Sequence, residues 1–204
     1  SFPWYKGEAP ARSDYALYPG TYEYKYPKAG ENNSKVSVLS FDIKSRVTRT
    51  MKVPLDADGY IPRIQFAGEK DRLIVSTLNR HQNRLDFYAV NARSTQAQLI
   101  LREENKRYVD ECSYQDVNFK DGNFVIISDR DGYRHLYLYS AGGQLIKQLT
   151  SGNYEVTQYY GKSADGKYFY YASNEGSPLE QYIYRVDSAG RKTKLSVRKG
   201  TNLS

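Results

Sequence analysis

Three stretches of this chain follow one plan: an apolar strand, a polar turn built from Asn, Arg, Asp and Gly, then a second strand in which aromatic residues alternate. Arg72 to Ser76 leads to Leu85 to Val90, Asn123 to Ser128 leads to His135 to Tyr139, and Lys167 to Tyr171 leads to Gln181 to Tyr184. The repeats begin at residues 72, 123 and 167, intervals of 51 and 44. That spacing suits four short antiparallel strands per repeat, the blade of a β-propeller.

Alternation then predicts strands at 60–67, 72–79, 84–90 and 96–101, at 114–119, 123–128, 134–140 and 144–150, and at 154–160, 167–173, 180–187 and 191–196. Asp121-Gly122, Ala141-Gly142-Gly143, Asp165-Gly166 and Ala189-Gly190 supply residues that tolerate positive φ at the hairpin turns. Upstream, Val36, Val38 and Phe41 to Ile43 read as one strand and Val47 to Val53 as its partner, with no inner strands before them. The chain is therefore expected to be all-β: a partial propeller of four-stranded antiparallel blades, about three complete and part of a fourth. Blades fall at 56–105, 106–152 and 153–204, and residues 1–55 hold an arm and the outer strands of an incomplete blade. An open arc leaves apolar blade faces uncovered at both ends, so the chain reads as a fragment of a longer protein.

Composition agrees. The 21 Tyr and 7 Phe, against one Trp and one Met, favour pleated surfaces on which aromatic side chains pack across strands. No apolar run approaches the roughly 18 to 20 residues that cross a bilayer, and the start carries no signal-peptide pattern. A net charge of +7 raises nucleic acid as a partner, but the Lys and Arg are scattered. Their densest cluster, Arg191, Lys192 and Lys194 with Arg198 and Lys199, reads as a solvated strand face. The single cysteine, Cys112, has no disulfide partner and no neighbours at metal-ligand spacing, so it reads as a partly buried small residue.

Residues 1–30 differ, carrying Pro3, Pro10, Pro19 and Pro27 among closely spaced tyrosines. Proline removes ladder donors, so this segment reads as an edge strand or an arm lying on a surface, either its own blade or another subunit.

Five ordered motifs carry a family resemblance. Tyr26-Pro27-Lys28-Ala29-Gly30 comes first, then Leu78-Asn79-Arg80-His81-Gln82-Asn83 and Ser128-Asp129-Arg130-Asp131-Gly132-Tyr133-Arg134-His135. Thr150-x-Gly152-x-x-Glu155-Val156 and Tyr171-x-Ser173-x-Glu175-x-Ser177-Pro178-x-Glu180 complete the set. Together they resemble the propeller of dipeptidyl peptidase IV and its bacterial relatives in the prolyl oligopeptidase clan. The resemblance implies a propeller section joined, in a parent protein, to a C-terminal α/β-hydrolase domain that releases Xaa-Pro or Xaa-Ala dipeptides from peptide N-termini. It implies that this section walls and gates the substrate cavity, that the parent is a periplasmic or exported bacterial protein, and that it forms a homodimer. The dimer arm would be Tyr18, Pro19, Tyr22, Tyr24, Tyr26 and Pro27, with Tyr18 as anchor. Asn79, Arg80, Gln82, Asn83, Gly132, Tyr133, His135, Glu155, Ser173 and Glu175 would be structural motif positions.

Catalytic residues are not expected within the chain, nor is any cofactor or metal. A serine peptidase of this clan needs Gly-x-Ser-x-Gly on a strand-to-helix elbow with a His and a carboxylate. The nearest string, Gly161-Lys162-Ser163-Ala164-Asp165-Gly166, has its second Gly one position late and reads as a hairpin turn. His81 sits in a polar turn, and His135 heads a strand, where a hydrogen bond to Asp129 or Asp131 is expected. Glu103-Glu104 mimics the paired glutamates with which dipeptidyl members hold a substrate ammonium, but the family places its pair before Tyr-Pro-Lys-Ala-Gly; here the two read as a solvated loop. Asn32-Asn33-Ser34 and Asn202-Leu203-Ser204 match a glycosylation pattern common by chance. The competing reading is a non-enzymatic propeller that binds proteins or glycans.

Overall fold

The computed structural model describes residues 2–4, 20–22, 30–115, 117–119 and 122–202, the first two stretches as backbone alone. Two compact units divide the chain, Ser1–Ser34 and Lys35–Ser204. In the first, strand β1 (Phe2–Trp4) pairs antiparallel with β2 (Gly20–Tyr22).

Four antiparallel sheets build the second unit. β3 (Leu39–Asp42) pairs with β4 (Val47–Thr50). β5 (Tyr60–Phe66), β6 (Arg72–Leu78), β7 (Arg84–Asn91) and β8 (Ala97–Glu104) form a four-stranded meander. β9 (Phe124–Ser128), β10 (His135–Tyr139) and β11 (Leu145–Gln148) form the third sheet, and β12 (Val156–Lys162), β13 (Tyr168–Ser173), β14 (Tyr182–Asp187) and β15 (Lys192–Lys194) the fourth.

Side chains on successive strand positions point to opposite faces, so a strand between two sheets must be apolar on both. β9 and β10 show this. Phe124, Ile126, Tyr137 and Tyr139 pack towards the second sheet, with Ile74, Leu85 and Phe87. The intervening Val125, Ile127, Leu136 and Leu138 pack towards the fourth, with Phe169, Tyr171, Tyr182 and Tyr184. A smaller cluster joins Val38 and Met51 to Val75, Tyr88 and Val90. The sheets thus stack in chain order, each core shared by two neighbours, in a partial β-propeller.

Gly143 permits one of these junctions. Its φ is +86°, and a Cβ there would lie 1.4 Å from the Ile100 carbonyl oxygen, so only glycine lets the β10–β11 turn approach β8.

The strand expected at 114–119 is absent among the described residues. A 3₁₀ turn, Glu111–Ser113, takes its place, N-capped by Asp110, whose side chain accepts from the Cys112 amide at 3.0 Å. The Ser113 hydroxyl then donates to the Ile127 carbonyl at 2.8 Å, so a side chain meets the free edge of β9 where a ladder was expected. Val117 and Phe119 are nevertheless buried, and Phe119 links Phe87 to Phe124 with ring centroids 5.5 and 4.6 Å apart. Apolar alternation reported burial correctly, while the capped turn overrode pairing.

Candidate functional site

Antiparallel register brings the loops after β6, β8, β9 and β13 to one end of the sheets, because Leu78 pairs with Leu85, Arg84 with Glu104, Ser128 with His135 and Ser173 with Tyr182. Every motif position after Gly30 lies at this end.

Asn79 fixes the first loop. Its Oδ1 accepts from the Asn83 and Arg84 amides at 3.0 Å each, its Nδ2 donates to Asn83 Oδ1 at 2.7 Å, and Gln82 takes φ +56°. The carbonyls so presented hold the segment leaving β8: Asn105 donates its amide to Asn83 at 3.0 Å, and Val109 to Gln82 at 2.7 Å. Arg80 donates to the Tyr60 hydroxyl at 2.6 Å and lies over its ring.

The second loop turns at Gly132, φ +100°, whose amide donates to Asp129 at 2.9 Å, and leaves Tyr133 exposed. Glu155 then ties the third sheet to the fourth, accepting from the Arg134 amide at 2.7 Å and from its guanidinium at 3.2 Å. Ser173 accepts from the Glu175 amide at 3.1 Å, and Glu175 pairs with Lys192, which lies over Tyr154.

Two expectations require correction. His135 bonds neither Asp129 nor Asp131: its Nδ1 meets Thr150 Oγ1 at 3.1 Å and its Nε2 the Gly152 carbonyl at 2.9 Å. The ring is fully buried, edge-on to Tyr154, so both nitrogens are satisfied by the end of its own sheet. Glu103 is not in a solvated loop, because β8 extends through Glu104 and carries the Glu103 carboxylate inward. It accepts from the Ser128 hydroxyl and pairs with Arg130, whose guanidinium is 4.2 Å from the Tyr137 ring centroid. Burial works against the Arg130 charge, but Glu103 together with Tyr139 and Tyr137 more than offsets it, so the guanidinium is held above its ordinary range.

The remaining expectations fall as follows. Ser163 and Gly166 form a hairpin turn, the Gly166 amide donating to the Ser163 carbonyl at 2.8 Å. Lys192 to Lys194 form an exposed edge strand. Cys112 is partly buried, and that burial pushes its thiol up to about 12 from the ordinary 9.0, so it is a poor nucleophile near neutrality. Tyr18, Pro19, Tyr24, Tyr26, Pro27, Asp121, Leu203 and Ser204 lie outside the described residues, and Tyr22 is described in its backbone alone. Among the described residues, no His, Cys, Asp and Glu cluster could hold a metal ion, and no helix is long and apolar enough to cross a membrane.

Among the described residues, grooves open at the loop end, and three of them are well formed. One of about 330 Å³ is lined by Pro54, Asn79, Arg84, Asp86 and Arg102. Another of about 370 Å³ lies between Asn83 and Lys106. The largest of these three, about 570 Å³, lies between residues 104–108 and the 129–132 loop. Arg102 closes the first through two bonds to the buried Asp86, at 2.6 and 2.9 Å. The arrangement can bind and orient polar groups; among the described residues its hydroxyl-with-base pairs, Ser128 on Glu103 and Thr150 on His135, are buried and offer no nucleophile to the grooves.

The chain resembles known proteins over nearly its whole length. A family described as the dipeptidyl peptidase IV N-terminal region matches residues 3–204. The crystal structure of Porphyromonas gingivalis dipeptidyl peptidase 4 is 45% identical with a TM-score of 0.86, covering 98% of this chain and 27% of that one. A putative dipeptidyl aminopeptidase IV from Bacteroides ovatus shares the fold, with a TM-score of 0.71 at 24% identity over 87% of this chain and 28% of that one. A probable dipeptidyl peptidase 4 of Aspergillus flavus is 26% identical over 83% of this chain and 23% of its own length. The chain thus spans about a quarter of each relative.

Proposed function

The chain belongs to the dipeptidyl peptidase IV N-terminal region family, and on that footing we propose that it is the non-catalytic propeller section of an exported bacterial serine exopeptidase that removes N-terminal Xaa-Pro or Xaa-Ala dipeptides. The 45% identity to the Porphyromonas gingivalis enzyme over nearly the whole chain carries this reading. A hydrolase domain elsewhere in the parent supplies nucleophile, base and acid. The loop end described above faces the cavity between the two domains, walling it and admitting peptides by size. The aromatic arm before Gly30 contributes to a homodimer, with Tyr18 as its anchor.

Turnover of a chromogenic Gly-Pro amide, by the parent protein and by this chain, tests the reading. The parent is expected to be active and to lose activity with a serine-directed inhibitor, and the chain alone to be inactive. Activity that purifies with the chain, or a parent that ignores the substrate, contradicts it.

A further inference from the structure

Most cations at the loop end are engaged, Arg80 by the Tyr60 hydroxyl and five others by carboxylates. Arg84 pairs with Asp56, Arg102 with Asp86, Arg130 with Glu103, Arg134 with Glu155 and Lys192 with Glu175. Lys106 and Arg107 make no side-chain hydrogen bond or ion pair among the described residues. They are consecutive and exposed, are followed by Tyr108 at 60% exposure, and all three line the 570 Å³ groove.

Their backbone is not loose. The Asn105 side chain accepts from the Arg107 amide at 3.0 Å and donates to Asp129 at 3.1 Å, while Val109 is fixed to Gln82 at 2.7 Å. Side chains between two such ties are presented from a held loop, which lowers the ordering cost of binding. The acids nearby are already engaged: Asp129 with Asn105, Asp110 as the cap of the 3₁₀ turn, and Glu103 with Arg130 and Ser128. Glu104, on the groove wall, sits opposite Arg84 in register and interacts electrostatically with Arg102. Asp129 and Glu104 keep their charges on the groove wall, but neither is paired with Lys106 or Arg107, which remain cations of this rim with no carboxylate partner among the described residues.

We propose that Lys106, Arg107 and Tyr108 form a subsite for acidic peptide substrates, engaging a carboxylate downstream of the dipeptide that is released. The proposal rests on the reading that the loop end faces the substrate cavity. Ammonium and guanidinium groups would donate charge-assisted hydrogen bonds to the carboxylate, with the Tyr108 ring beside the peptide backbone. Because the cations are exposed, the effect is modest and salt-sensitive, about three- to tenfold in kcat/KM at low ionic strength.

The test uses the full-length parent, wild type and with Lys106→Glu and Arg107→Glu combined, and two Gly-Pro-led peptides, one continuing with Asp and Glu, the other with Gly and Ser. Hydrolysis of a chromogenic Gly-Pro amide, which ends before the subsite, reports that each variant is folded. The ratio of kcat/KM for the acidic over the neutral peptide is expected to fall about tenfold on charge reversal, and the wild-type preference to fade at about 0.5 M salt. An unchanged ratio in an active double variant overturns the subsite while leaving the functional reading intact. Equal loss on both peptides also overturns it, placing the cations at a domain contact. A wild-type parent without Gly-Pro amidase activity overturns the functional reading and the subsite with it.

Discussion

Arg130 and Glu103 are unequal partners in one ion pair. The Glu103 side chain is 6% exposed and that of Arg130 30%. Removing Arg130 strands a buried carboxylate with only the Ser128 hydroxyl, whereas removing the charge on Glu103 leaves a guanidinium that can rehydrate and still stack on Tyr137. Breaking a buried pair from one side costs about 3–5 kcal/mol, and partial exposure of the arginine reduces that. Arg130→Ala is expected to destabilise the chain by about 2–4 kcal/mol, and Glu103→Gln by about half as much, in urea unfolding. A larger loss for Glu103→Gln would contradict this assignment of the burden. Neither effect was legible in the sequence. The partners lie 25 and 27 residues on, and nothing local to Glu103-Glu104 says that β8 runs three residues further than its apolar pattern.

At the scale of elements, legibility followed two-sided burial. β6, β7, β9, β10 and β13 pack into cores along much of their length, so apolar runs and turn residues marked them to within a residue or two. Residues 114–119 failed because a capping aspartate and a serine side chain decide that stretch. The incomplete first sheet was legible, and it leaves a recognisable scar. Ile64 and Phe66 on β5 oppose Val75 and Leu73, so they share the face that Val38 and Met51 cover further out, yet Phe66 is 74% exposed. On β3, Leu39 and Phe41 are likewise exposed, continuing to Ile43 at 83%. An unpaired edge beside exposed apolar residues favours association. The isolated chain is expected to self-associate at micromolar concentration, and Phe41→Lys with Phe66→Lys to shift it towards monomer in sedimentation velocity. A wild-type chain that stays monomeric at about 100 µM would refute the attribution to these faces.

Across the Lys35–Ser204 unit, each core is shared by consecutive sheets and by no others. Such a stack is quasi-one-dimensional, its stability a sum of sheet and neighbour contributions, and an open stack has ends with one neighbour each. β3–β4 is the weaker end: two strands, a small cluster against the second sheet, and an uncovered opposite face. The second and third sheets have neighbours on both sides and share the ring series Phe87, Phe119, Phe124 and Tyr139. Unfolding is therefore expected to begin at the ends. Native-state hydrogen exchange should show the slowest amides in β6, β7, β9 and β10, and exchange in β3 and β4 faster by at least about tenfold, equivalent to a local opening easier by about 1.4 kcal/mol. If a full-length parent closes the ring, as the proposed function implies, every sheet gains two neighbours there and that gap should narrow. Uniform protection across all four sheets of the isolated chain would mean that the unit unfolds as one cooperative body, and that closure of the propeller adds little to its local stability.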